Sequence, residues 1–238
     1  LGNLVEAEKG YIAFLKNGYS DADIISNYAL ICESKKENDK AIKLYEKCLQ
    51  KFPNHLYTKL NLSFLYYKLN TLEKAIKLIE EAINLKPHLP NGYCIKGLIL
   101  KGLYKYEESR LSLEKAIEID SNYIDAYINL GLLNKDLNKY DEAQKYYLKA
   151  LEIDSESAIA HLNIGACYKE NQNIEKAIFH TKKAIDLDNK LENSYLNLAT
   201  IYNIKGDYKR SLSFAKKEIS INPNSDLVYQ LISELIKK

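Results

Sequence analysis

Apolar residues recur along this chain at intervals of three and four, the spacing that lines one face of an α-helix. The whole pattern repeats every 34 residues. With Ala22 as position 1, units begin at Ala22, Leu56, Pro90, Ile124, Ala158 and Glu192. In each unit the pattern occupies positions 4, 7, 8 and 11, then 20, 24, 27 and 28. That predicts two helices of about twelve to fourteen residues per unit. No segment shows the period-two alternation of a strand.

Residue size explains which positions are which. Position 8 holds Ala29, Ser63, Gly97, Gly131, Gly165 and Ala199; position 20 holds Ala41, Ala75, Ser109, Ala143, Ala177 and Ser211. Position 27 holds Cys48, Ala82, Ala116, Ala150, Ala184 and, as a departure, Glu218. Small side chains are expected where helices approach closely, since a large one would push them beyond the usual ~8–10 Å. Position 28 is always Leu or Ile, and Tyr66, Tyr168 and Tyr202 share position 11. Thr181 and Ala215 replace a bulky residue at position 24, which puts packing near the C-terminal end in question. Pro53, Pro87 and Pro223 at position 32 stop the second helix. Thr71, Asn173 and Asp207 at position 16 are candidate N-caps for it.

The segments NLGLLNKDLNKYDEAQKYYLKALEID and NIGACYKENQNIEKAIFHTKKAIDLD resemble the tetratricopeptide repeat signature. The resemblance runs from Ala22 to Ser225 without an insertion, although position 4 lacks the family's frequent Trp. It implies an all-α fold, a right-handed α-solenoid superhelix of antiparallel helix pairs. Repeats are expected at 22–55, 56–89, 90–123, 124–157, 158–191 and 192–225. Residues 1–21 fit the C-terminal helix of a truncated preceding repeat, with Ala7, Tyr11 and Phe14 at positions 20, 24 and 27. Residues 226–238 fit a C-terminal capping helix or the start of a further repeat. A start in mid-repeat without Met suggests an excerpt of a longer protein, or a processed one.

In the family, positions 2, 5, 6, 9, 12 and 13 of the first helix face a concave groove. Position 6 here carries Asn27, Asn61, Asn129, Asn163 and Asn197, with Ile95 the exception. This row resembles the asparagine ladder of the O-GlcNAc transferase superhelix, whose amides hold a peptide backbone. Asn is also common at this position across the family, so a consensus role stays open. Lys101, Lys135 and Lys169 at position 12 form either a basic track suited to acidic side chains or three solvated helix ends. Tyr57, Leu60, Phe64 and Tyr67 form an aromatic patch that anchors a partner, or they cover core. Asp23 and Glu33 make the first repeat's groove face acidic. The Lys/Asn/Lys/Arg carboxylate clamp of chaperone-binding repeats is absent.

Charge and composition remove other classes. The chain is 46% hydrophobic and 28% charged, which argues against disorder. A net charge of +2 argues against nucleic acid or membranes as partners. No apolar run of about 18 residues is present, and no leader-like segment opens the chain. Cys32, Cys48, Cys94 and Cys167 form no CxxC pair and read as reduced thiols, which fits a cytoplasmic protein. His55, His88, His161 and His180 are scattered, and no nucleophile–base grouping or phosphate-binding glycine loop stands out. No enzyme activity, cofactor or metal is expected. The expectation is a scaffold for protein–protein interaction, binding an extended peptide or partner helix of acidic or partly apolar character. The alternative is the substrate-recruiting arm of a larger enzyme, such as a glycosyl- or sulfotransferase. Self-association through an exposed terminal helix is a third expectation.

Overall fold

The end of the first helix shapes every unit. In the computed structural model, which describes residues 2–17 and 21–237, position 15 is left-handed six times over. Those residues are Lys36 (φ 63°), Asn70 (56°), Tyr104 (60°), Asn138 (58°), Gln172 (59°) and Gly206 (79°). The next residue's N–H then donates to the position 11 carbonyl, as from Thr71 to Tyr66 at 2.8 Å and from Asp207 to Tyr202 at 2.9 Å. The position 15 N–H donates to the position 12 carbonyl. This is a Schellman closure, which satisfies carbonyls that a helix end leaves unpaired. It turns the chain quickly enough that the second helix runs back along the first.

Among the described residues the fold is all-α, with fourteen helices, in two compact units covering residues 1–121 and 122–238. The first unit holds α1 (Gly2–Lys16), α2 (Ala22–Ser34), α3 (Asn38–Lys51), α4 (Leu56–Lys68), α5 (Leu72–Leu85), α6 (Pro90–Gly102) and α7 (Tyr106–Ile119). The second holds α8 (Ile124–Asp136), α9 (Tyr140–Ile153), α10 (Ala158–Glu170), α11 (Ile174–Leu187), α12 (Ser194–Ile204), α13 (Tyr208–Ile221) and α14 (Asp226–Ile236). Within each unit, consecutive helices pack on one another, and so do alternate ones: α2 on α4 and α4 on α6, then α8 on α10, α10 on α12 and α12 on α14.

The core is built where small meets large. A Cβ on Gly97 would come within 2.6 Å of Leu113, and one on Gly131 would overlap the Tyr147 ring. Position 24 therefore sits on position 8. The small residues at position 24 do not loosen this contact. Thr181 is fully buried, and a Cβ on Gly165 would collide with its hydroxyl and approach the Ala177 carbonyl at 3.2 Å. Ser109 and Ser211 at position 20 add a hydrogen bond to the position 8 carbonyls of Gly97 and Ala199, both at 2.7 Å. All four cysteines are buried.

A second pattern surrounds the core. A cation at position 19 lies over a tyrosine ring in four repeats: Lys40 over Tyr28 (5.1 Å), Lys74 over Tyr66 (5.3 Å), Lys176 over Tyr168 (5.2 Å) and Arg210 over Tyr202 (5.2 Å). The two repeats with Leu100 or Asn134 at position 11 place Glu108 and Glu142 at position 19 instead. Each such contact contributes about 0.5–1 kcal/mol at an exposed site. Of the three candidate caps, Asn173 and Asp207 accept from the N–H groups of Lys176 and Arg210. Thr71 makes no capping bond. At the chain's end α14 buries Val228, Leu231 and Leu235 and exposes Leu227, Tyr229 and Ile236.

Two substitutions at one repeat position should have opposite signs. Tyr45 donates to the Glu33 carboxylate at 2.7 Å, whereas the buried Tyr147 hydroxyl has no partner. Tyr45→Phe should cost about 1.5–2 kcal/mol in urea unfolding, and Tyr147→Phe should be neutral or stabilising by up to about 1 kcal/mol. Gln172→Gly should raise stability by about 0.5–1 kcal/mol by relieving the left-handed backbone, read from the same unfolding curves.

Candidate functional site

The first helices of successive repeats put their free faces side by side. In the second unit, α8, α10, α12 and α14 wall an open cavity of about 570 Å³. Lys135, Asn163 and Lys169 line it together with Glu192, Asn193, Asn197 and Thr200. Leu162, Ala166, Leu196, Leu227 and Leu231 supply its apolar surface. Four residues nominated from the sequence, Lys135, Asn163, Lys169 and Asn197, thus come together here. Asn129 is half-buried on α8 and lies outside this lining.

The amides do not form a row of unoccupied groups. Asn163 donates from Nδ2 to the Ile159 carbonyl at 3.0 Å and accepts at Oδ1 from Lys135 Nζ at 3.1 Å. It therefore positions an ammonium beside the cavity. Asn197 is 8% exposed and donates to Thr181 Oγ1 at 2.9 Å. Lys169 pairs with the neighbouring Glu170 carboxylate at 3.1 Å.

The wall at α12 depends on a residue that breaks the repeat rule. Glu218 is fully buried, and its carboxylate accepts from the backbone N–H groups of Asn193 (2.6 Å), Tyr195 (3.1 Å) and Leu196 (3.2 Å). These are N–H groups that the start of a helix leaves unpaired, at its positive dipole end. Asn193 adopts φ 68° to bring them together, and α12 opens at Ser194 rather than at position 1. A small residue at position 27 would leave that end open.

In the first unit the nominated residues divide. Tyr57 is 57% exposed and Phe64 lies at the surface, with Tyr67 stacked on Phe64 at 5.9 Å and Lys68 over its ring at 5.1 Å. Leu60 is a correction: it is 2% exposed and fills the core with Tyr28, Leu62 and Leu65, because position 5 of α4 turns inward. Asn27 is exposed on α2, Asn61 is half-buried on α4 and Lys101 is half-buried on α6. The acidic pair expected in the first repeat is engaged, Glu33 with Tyr45 and Lys68 and Asp23 with His55.

One grouping was missed in the sequence. Asp23 Oδ1 lies 3.2 Å from His55 Nε2, and His55 Nδ1 lies 2.7 Å from Thr58 Oγ1, which in turn lies 3.3 Å from Cys48 Sγ. An acid–imidazole–hydroxyl file can activate a nucleophile only where a substrate reaches it. Thr58 and Cys48 are both fully buried, and burial pushes the Cys48 thiol up. The file ties the turn before α4 to α2. Among the described residues no set of three or more His, Cys, Asp or Glu converges to hold a metal ion, and no helix is long and apolar enough to cross a membrane.

Four family models, each described as a tetratricopeptide repeat, match residues 34–91, 124–157, 146–179 and, for the fourth, both 90–123 and 192–225. No curated protein matches the sequence. Among solved structures, a tetratricopeptide repeat protein from Parabacteroides merdae aligns with a TM-score of 0.82 at 19% identity, over 99% of this chain and 93% of its own. A chain of the APC/C Cut9–Hcn1 hetero-tetramer aligns with a TM-score of 0.82 at 14% identity. This chain is covered to 99% there but spans 46% of that longer one. YrrB, described as a TPR protein with an unusual peptide-binding site, aligns with a TM-score of 0.53 at 20% identity, over 78% of this chain and 96% of its own. At these identities the likeness is one of fold.

The buried cap at α12 makes a direct prediction. Glu218→Ala should cost about 3 kcal/mol, since it strands several buried N–H groups, and Glu218→Gln should cost less. Amide hydrogen exchange should show the lost protection first at the start of α12.

Proposed function

This chain belongs to the tetratricopeptide repeat family, and from that membership we propose that it is a protein–protein interaction scaffold whose second unit grips an extended peptide. The six repeats over 22–225 would, within each unit, set their first helices along a concave side. The observation that carries the reading is the cavity along α8, α10, α12 and α14, with two ammonium groups beside an apolar floor. Lys135 is already oriented by Asn163, so a ligand carboxylate meets a charge whose side chain is partly ordered. Leu162, Leu196 and Leu227 offer contact to the peptide's apolar side chains. The peptide that fits carries Asp or Glu within a partly apolar sequence.

A peptide array tests this. Twelve-residue peptides that vary one acidic residue among Leu, Ile and Ala are probed with the protein, and the strongest is carried into fluorescence anisotropy. Lys135→Ala with Lys169→Ala should raise Kd about tenfold or more and flatten its salt dependence. Tyr57→Ala with Phe64→Ala should leave Kd unchanged. If the lysine variant keeps its helicity and binds as wild type does, the groove reading is wrong. If only the aromatic variant loses binding, the site belongs to the first unit.

A further inference from the structure

In the fifth and sixth repeats, positions 4 and 23 face each other across the helix pair. Five repeats fill them with Ile25 and Leu44, Lys59 and Leu78, Tyr93 and Ser112, Tyr127 and Tyr146, or Tyr195 and Phe214. In the last of these the rings stack 6.3 Å apart. The fifth repeat alone has two imidazoles, His161 on α10 and His180 on α11. Their Nδ1 atoms lie 3.0 Å apart. His161 is buried, and His180 is stacked on Tyr168 at 5.5 Å with the edge of Phe179 against it at 5.2 Å.

We propose that His161 and His180 form an acid-sensitive latch, which holds α10 to α11 as a pair of neutral rings and releases them when both take up protons. The tautomers follow from the contacts. His161 Nε2 lies 3.3 Å from the Ser155 carbonyl, an acceptor only, so Nε2 carries the hydrogen and Nδ1 accepts. His180 Nδ1–H is then the donor between the rings. One added proton on His180 preserves that bond. A second puts N–H against N–H with no acceptor between, and the pair must part.

The surroundings resist even the first proton. Burial holds His180 down at about 4, with His161 and Lys176 adding to the effect. Burial also lowers His161, opposed by the Ser155 carbonyl and assisted by Lys183. Lys176 and Lys183 are both on α11, and no carboxylate from α9, α10 or α12 is among the groups acting on either ring. The Tyr168 ring beneath His180 already carries the Lys176 ammonium at 5.2 Å. Both rings therefore bind protons less readily paired than apart. The sign is that of a depressed base: the latch holds fully above about pH 6.5, the free imidazole value, and weakens as pH falls toward 4. Opening that takes up two protons is favoured by up to ~100-fold per pH unit in that window. Since α10 also presents Leu162, Asn163, Ala166 and Lys169 to the cavity, opening would dismantle one wall of it. That last consequence rests on the groove reading above; the latch itself does not.

The test needs no peptide. In the wild-type chain, histidine Hε1–Cε1 NMR titration should place both rings below pH 6.5. Two ordinary titrations near 6.5 would overturn the proposal. Hydrogen exchange, corrected for intrinsic rates, should show α10 and α11 losing protection between pH 7 and 5 by at least tenfold more than α8 and α9. His161→Tyr with His180→Phe, the pair of the sixth repeat, should abolish that difference, and an unchanged difference would also overturn it. Should this variant not fold, the wild-type titration alone decides. A groove that binds no peptide leaves these outcomes untouched.

Discussion

The residue at position 24 lies against the backbone of position 8, and this contact sets how closely the two helices of each pair approach. Where the first helix offers glycine, as at Gly97 and Gly131, the second brings Leu113 or Tyr147 into the space. Where both are small, as at Ala199 and Ala215, both remain fully buried. The left-handed turn at position 15 recurs in the same register in all six pairs, each time closed by two hydrogen bonds. Side chains at 4 and 23 then meet in the fifth and sixth pairs, and those at 11 and 19 in the second, fifth and sixth. What a repeat does beyond folding depends on which residues it puts in those secondary slots.

Much of this was legible in the chain. The small residues at 8, 20 and 27 mark close contacts, and the period follows from them. The left-handed turn was not read. Gly206, Asn70 and Asn138 suit it, but Lys36, Tyr104 and Gln172 carry no local signal, and the helix-end hydrogen bonds hold them there against their own preference. Glu218 looked like a defect because its partner, the start of α12, lies well upstream in sequence. The pairing of position 19 with position 11 was present as a covariation among the second to sixth repeats, cation with Tyr and Glu without it; in the first, Cys32 stands at position 11 and Lys40 lies over Tyr28 instead.

The candidate site was partly legible for the same reason. Residue type at a repeat position shows what is available, and packing decides what is presented. Asn163 and Asn197 share a position, yet one orients a lysine beside the cavity and the other is tied to a threonine. Leu60 and Phe64 are one helical turn apart, and only Phe64 reaches the surface. The histidines of the fifth repeat, apart in sequence, meet because positions 4 and 23 face each other there, as they do in the sixth.

The buried carboxylate of Glu218 also bears on the order in which the last pair assembles. Four helices in this chain begin on a side chain close at hand: α2 on Asp21, α10 on Ser157, α11 on Asn173 and α13 on Asp207. The opening turn of α12 instead waits for a side chain delivered by the helix that follows it. A chain emerging from the ribosome would carry α12 with a frayed start until α13 had been made and docked. In the final repeat the dependence runs one way: α13 starts on its own Asp207, and α12 is complete only once α13 is in place.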